Sequence, residues 1–324
     1  MNEPQEFLLM AAPLQGFTEA PFRHFHARIY SGAEVRYFSP FLRMEKGEVR
    51  RRDLRDITSP LDDGSYTFIP QVIARDAAEF RALTDVVAGC GYTSVDLNAG
   101  CPFPPQVRKG RGAGLISGDG TALACIASAM REYPSVSFSL KMRLGTESAG
   151  QWRALMPVIN DMPLTHVTLH PRTAVQQYSG TLHYDEVEPF AAGLRHPLVL
   201  NGDISSADDI VALRDRYPFL SGVMLGRGLL RSPSVFAEYT SGEVWDDGKR
   251  CAYMLRLHRA VLDYYSSVLC GGHQVLAKIL PLWEYFSDSF PRKIVKPLVK
   301  SRTLDSFMSA LLALEREYAF ENTL

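Results

Sequence analysis

Eight times between residues 7 and 225, a short apolar run rich in β-formers gives way to a stretch of helical periodicity. No other feature constrains the chain as strongly. Strands lying parallel in one sheet need crossovers of a dozen or more residues, and these helical stretches supply them. The runs are 7–12, 35–38, 67–72, 94–98, 137–142, 166–170, 197–201 and 222–225. Helical patterns at 76–89, 119–132, 151–161 and 205–216 lie between them, with Asp76, Asp119 and Ser205 as expected N-caps. Eight such units at this pace predict a (β/α)8 TIM barrel. A doubly wound open sheet is the other arrangement the alternation allows, but no G-x-G-x-x-G follows the first run.

Beyond residue 240 the pattern changes. Residues 241–248 read as a linker, and 249–324 show helical periodicity without a convincing strand. The expected fold is therefore α/β: a TIM-barrel domain over 1–240 followed by a small helical domain over 249–324. Charge separates the two. The whole chain carries −1, but 249–324 holds eleven Lys and Arg against seven Asp and Glu, or +4, leaving −5 on the remainder. Arg292, Lys293, Lys296, Lys300 and Arg302 make up much of that excess. Such a run is either a solvated helix face or a grip on a polyanion.

Several classes are disfavoured. The five cysteines (90, 101, 125, 251 and 270) are scattered without a C-x-x-C pair, so neither a zinc site nor a disulfide framework is indicated. The residues Met1–Glu6 are acidic where a secretory leader would be basic. No stretch approaches the roughly 18 apolar residues of a membrane span. We expect a cytoplasmic monomer with no metal and no membrane partner.

In a barrel of this kind chemistry gathers at the C-terminal ends of the strands. Those ends read Pro13-Leu14-Gln15-Gly16, Gln71, Asn98-Ala99-Gly100-Cys101-Pro102, Lys141-Met142-Arg143, His170-Pro171-Arg172, Asn201-Gly202-Asp203 and Gly226-Arg227-Gly228. Strand alternation puts Lys141 and Arg143 on one face. The last two clusters follow strands seven and eight, where barrels commonly bind phosphate; glycines admit backbone N–H groups and Arg227 offers paired donors. Turn glycines alone would be the bland reading. Cys101 sits just past the fourth strand in a polar mouth, where a thiol near its ordinary pKa can donate a proton. In the loop behind it, Arg108, Lys109 and Arg111 suggest anion contact or merely an exposed flexible segment.

Taken together these motifs, in this order over residues 11–228, resemble those of the tRNA-dihydrouridine synthase family, and the basic tail resembles that family's C-terminal RNA-binding domain. Two local departures stand out: Glu19 where an Asp is common, and Phe103-Pro104-Pro105 where the stretch after Cys-Pro is usually polar. The resemblance implies FMN in the barrel mouth, reduced by NADPH (or NADH), and reduction of the uridine C5–C6 double bond in tRNA. It implies hydride transfer from flavin N5 and a proton from Cys101. Pro13, Leu14, Gln15, Gln71, Lys141 and His170 would line the flavin and its ribityl chain. Asn201, Gly202, Asp203, Gly226 and Arg227 would hold the phosphate end. Asn98, Arg143 and Arg172 would meet the uracil, with Arg108, Lys109, Arg111, Lys293, Lys296 and Lys300 on RNA. The competing readings are an FMN barrel acting on a small molecule, dihydroorotate dehydrogenase-like or ene-reductase-like, and an RNA-binding module with a vestigial flavin site.

Overall fold

Eight parallel staves form the barrel: β1 (Leu8–Ala11), β2 (Val35–Phe38), β3 (Thr67–Ile69 with Gln71–Val72), β4 (Ser94–Ala99), β5 (Ser137–Gly145), β6 (Leu164–Thr173), β7 (Leu198–Asn201) and β8 (Gly222–Leu225). This computed structural model describes residues 6–318. Most of the acidic N-terminal stretch and the tail from 319, including Glu321, lie outside them. The strand order runs β2-β1-β8-β7-β6-β5-β4, with the two halves of β3 at the ends. Pro70 divides β3, because it has no N–H to give the ladder. The first half pairs with β2 and the second with β4, so one run of chain closes the circle. The TIM barrel expected from the alternation is the fold observed.

The barrel interior has two characters. Met10, Ala12, Phe38, Ile69, Val199 and Met224 fill one side with apolar volume. Gln71, Asp96, Ser139 and Thr168 fill the other and are all buried. A larger apolar layer, including Phe80, Leu97, Leu140, Leu169 and Phe190, packs between strands and outer helices.

Helix starts differ in detail from the sequence reading. Asp76 does cap the helix Ala77–Gly89, accepting from the Glu79 amide at 2.8 Å. Asp119 does not cap its helix: Gly120 (φ 84°) is the N-cap of Thr121–Met130, and Asp119 instead accepts from the Thr121 amide. Ser206 rather than Ser205 caps Ala207–Arg216, where a capping box with Asp209 satisfies both ends. Within 241–248, residues 242–246 have no helix or strand. A helix runs through Ser241, and the next begins at Asp247.

From Asp247 the described residues are helical and contain no strand, the principal segments being Asp247–Val268, Gly272–Ile279, Arg292–Val299 and Leu304–Glu317. Their core, with Met254, Leu257, Val261, Trp283, Phe286 and Phe307, also takes in Phe22 from the barrel's first helix, Ala20–Ile29, and Tyr30 at that helix's C-cap. Glu19 closes this junction. Its carboxylate bonds Arg52 on the barrel side and Lys278 and Tyr265 on the helical side. Burial alone would raise the Glu19 carboxyl, but Lys278 and Arg52 outweigh it and hold the group at about 2.

Three buried histidines make the fold acid-sensitive. Burial pulls His26 and His166 down to about 4 and His258 to about 3. The unfolded chain therefore binds more protons between those values and the ordinary 6.5, so stability falls as pH drops through that window. Asp96, raised by burial to about 6, works in the opposite direction, as do Asp53 and Asp62, while His170, also pushed down by burial, adds a fourth ring to the acid-sensitive side. Melting temperature should be clearly lower at pH 5 than at pH 7. An equal or higher value at pH 5 would contradict the buried neutral state of these rings.

Candidate active site

A cavity of about 850 Å³ opens at the C-terminal ends of the staves. Ala12, Pro13 and Leu14 from the β1 end and Met224 from β8 form an apolar wall. Gln15 also lines it and donates to the Phe41 carbonyl at 3.2 Å. Opposite lie Asn98, Cys101, Lys141, Arg143 and His170. At the far end Asn201, Gly202, Asp203, Gly226 and Arg227 converge from the loops after β7 and β8.

Each cation here is oriented by specific acceptors. Lys141 Nζ donates to Asn201 Oδ1 at 2.8 Å, and the Asn201 amide donates to the Met224 carbonyl at 2.6 Å. Burial, then the neighbouring Arg143, lowers the Lys141 ammonium to about 8. Arg143 is buried and donates to the carbonyls of Gly100 and Thr173, both at 2.8 Å, pinning the Cys101 loop to the end of β6. His170 Nε2 accepts from Arg172 at 3.2 Å, and arginine has only donors, so the ring proton sits on Nδ1. Burial first, then Arg143, Lys141, Arg172 and Arg227, pushes this ring well below its ordinary value and keeps it neutral.

Cys101 is partly exposed at this mouth. Burial raises its thiol above the ordinary value, against a Phe103 backbone N–H and the cations of Arg143 and Lys141. At neutral pH the group is a protonated thiol. Gly112 (φ 57°) lies against it: a Cβ there would stand 2.8 Å from the Cys101 Cβ and carbonyl oxygen, so the loop needs glycine for both space and conformation. Gly202 (φ 131°) is held likewise between Leu182 and His170, leaving no room for a side chain beside the ring.

Not every residue expected at the site reaches the cavity. Gln71 lies one layer below, bonded to Asp96 and Asn98. Arg172 is buried and has all five N–H donors engaged, on Asp203, Gly180 and His170. It orients those groups rather than facing a substrate. Arg111, read as an RNA contact, is buried in a two-pronged ion pair with Glu79 and also bonds the Met44 carbonyl. Arg108 and Lys109 are exposed, as are Lys293, Lys296 and Lys300, well outside the cavity. Conversely, Arg43, Tyr178, Arg231 and Tyr285 line the cavity and were missed. Arg231, one helical turn beyond Arg227, could have been found from that spacing. The two tyrosines gave no periodic or motif signal.

With these additions the lining carries Arg43, Lys141, Arg143, Arg227 and Arg231 against Asp203 alone. The cavity is thus strongly cationic inside a chain of net charge −1. A family model described as dihydrouridine synthase matches residues 10–278. The chain belongs to the dihydrouridine synthase family. Among relatives of this dihydrouridine synthase is the Bacillus subtilis (strain 168) protein named "Probable tRNA-dihydrouridine synthase 2", 28% identical over 297 residues that cover 86% of this chain and 85% of the relative. Another, named "Probable tRNA-dihydrouridine synthase", is from Staphylococcus epidermidis and is 25% identical over 81% of this chain and 79% of its own. The solved structure of morphinone reductase superposes with a TM-score of 0.52 at 10% identity, covering 74% of this chain and 87% of that one. At that identity the likeness speaks to the dihydrouridine synthase barrel alone. The family match stops at Lys278, before the helix that carries Lys293 and Lys296.

Proposed function

We propose that this protein reduces the C5–C6 double bond of uridine in tRNA, with FMN as resident cofactor and NADPH as electron source. The observation that carries the reading is Cys101, a protonated thiol held at the mouth of a cationic cavity within a dihydrouridine synthase fold. The cavity fits such a cofactor on its own chemistry. It has an apolar wall for a ring, amide and cationic groups opposite, and a glycine and arginine end suited to a phosphate. Pro13, Leu14, Gln15, Lys141 and His170 would surround the ring and its chain, while Asn201, Gly202, Gly226 and Arg227 would take the phosphate. Bound there and recharged by NADPH, FMN would supply the hydride for uracil C6.

The chain's own groups do the rest. Cys101 donates the proton to C5, a general-acid task suited to a thiol that burial keeps protonated. Asn98 and the spare donors of Arg143 address the uracil carbonyls, where negative charge develops. Lys141 holds positive charge beside the reacting ring. The base must leave its stack to reach this depth, at a cost of a few kcal/mol, roughly. Exposed cations on the outer surface offset that by gripping phosphates.

Lys293, Lys296 and Lys300 suit that role. They are exposed at i, i+3 and i+7 along one side of Arg292–Val299 and its cap, while Val295 and Leu298 bury the other side. Converting all three to alanine should weaken binding of unmodified tRNA and lower the slope of log affinity against log salt by about 0.7–0.9 per lost contact. Oxidation of NADPH without RNA should not change. If affinity and slope are both unaltered, the RNA lies elsewhere, and Arg108 and Lys109 become the contacts to test.

The function itself is tested by two measurements. The purified protein should be yellow and release FMN on denaturation. Dihydrouridine in tRNA should vanish from a strain lacking the gene and return when the gene is restored. FMN-containing protein without any change in tRNA dihydrouridine would leave a small-molecule reductase in its place.

A further inference from the structure

Under the cavity floor, buried polar groups connect the barrel interior to the thiol loop. Asp96 on β4 has no exposed surface. One of its oxygens accepts from Ser139 Oγ at 2.6 Å and the other from Gln71 Nε2, also at 2.6 Å. Gln71 in turn accepts at Oε1 from Asn98 Nδ2 at 2.8 Å. Asn98 Oδ1 then accepts from the backbone amides of Gly100 at 3.1 Å and Cys101 at 2.8 Å. Register builds the chain: Gln71 sits beside Asp96 across β3 and β4, and Asp96 beside Ser139 across β4 and β5.

The two ends of this chain are chemically one-sided. An ionised carboxylate can only accept hydrogen bonds, and a backbone N–H can only donate. Two carboxamides stand between them, each with one donating and one accepting end. Only one orientation of both satisfies every contact, the one that turns Gln71 Nε2 to Asp96 and Asn98 Oδ1 to the Cys101 amide. Reversing either amide would face donor with donor inside a dry interior, where an unmet polar group is costly.

We propose that Asp96 is a positioning residue for the thiol: as an acceptor it sets the direction of the Gln71 and Asn98 carboxamides and so holds the Cys101 backbone in place. This rests on the reading of Cys101 as proton donor, but its physical content, a loop fixed from below, can be measured without turnover. Asp96 touches neither substrate nor cofactor and acts through two side chains.

The direction of the chain separates this role from simple packing or charge. In Asp96→Asn the carboxamide can keep Oδ1 toward Gln71 and donate from Nδ2 to Ser139 Oγ, so the order of donors survives. Asp96→Leu and Gln71→Leu both break it. The measurement is alkylation of the purified protein by iodoacetamide, read cysteine by cysteine by peptide mass mapping. Cys251, buried in the helical core, reports global unfolding, and exposed Cys90, Cys125 and Cys270 report reagent activity. Alkylation at Cys101 should rise about fivefold to tenfold in Asp96→Leu and in Gln71→Leu, the ratio that loss of one net hydrogen bond allows. Cys251 should remain protected, and Asp96→Asn should match wild type. In the same leucine variants, kcat for dihydrouridine formation should fall with KM for tRNA unchanged. Unaltered alkylation at Cys101 in both leucine variants would overturn the proposal, as would an Asp96→Asn protein as reactive as Asp96→Leu. Wild-type protein that makes no dihydrouridine would sink the functional reading alone, since the alkylation pattern needs no RNA.

Discussion

Cys101→Ala protein is expected to retain its flavin and accept electrons from NADPH at the wild-type rate, yet to reduce uridine about 10²–10⁴-fold more slowly, the usual worth of a positioned acid. The thiol is suited to give a proton because burial raises its pKa while Arg143 and Lys141 stay close enough to limit that rise. Alanine removes the proton and leaves the loop, because Arg143 bonds the Gly100 carbonyl and Asn98 bonds the backbone amides, not the side chain. Stopped-flow measurement of the two half-reactions separates the outcomes. Wild-type uridine reduction by Cys101→Ala would remove the thiol from the reaction and leave another group as the proton donor. The pH profile offers a second view of the same site. Lys141, lowered to about 8, is charged below that value and loses its proton above it, while Cys101 remains protonated. The alkaline limb of uridine reduction should therefore track the lysine, and Lys141→Arg should move it upward.

The parts of this site legible in the sequence are those fixed by the strand period and by position at a strand end. Lys141 and Arg143 share a face because they are two residues apart on β5, and both enter the cavity. The glycine clusters after β7 and β8 could be placed because barrels put such loops at the same mouth. What the sequence hid were partners made by the fold. Arg111 looks like its neighbours Arg108 and Lys109, but Glu79, 32 residues away, captures it. Arg172 stands two residues beyond His170 and shares its face, yet Asp203, Gly180 and His170 itself occupy every donor. Gln71 lies at the end of the third apolar run, but its place beside Asp96 on the neighbouring stave gives the side chain a buried partner. Tyr285 reaches the cavity from the helical segment, a contact that depends on how those helices seat against the first barrel helix. Short-range periodicity carries no information about such pairs.

Removal of Arg227 should have the second large effect, on the cofactor. Arg172 and Arg227 both bond Asp203, but unequally. Arg172 takes both carboxylate oxygens, at 2.9 and 2.5 Å, whereas Arg227 makes one long contact at 3.4 Å and another to the Tyr178 carbonyl at 3.3 Å. Asp203 thus steers Arg227 toward the cavity without occupying it, and the Tyr178 ring, 5.0 Å from its guanidinium, shields the other side. Of the two, Arg227 is the one with donors free for a phosphate. Arg227→Ala should weaken FMN binding about 10–100-fold, the equivalent of one or two lost hydrogen bonds to a charged group. Arg227→Lys should recover part of that, keeping the charge but not the paired donors. Fluorescence titration of the apoprotein with FMN measures both constants. Unchanged affinity in Arg227→Ala would move the phosphate away from the β8 loop, toward Arg43 or Arg231, the other unassigned cations that line the cavity.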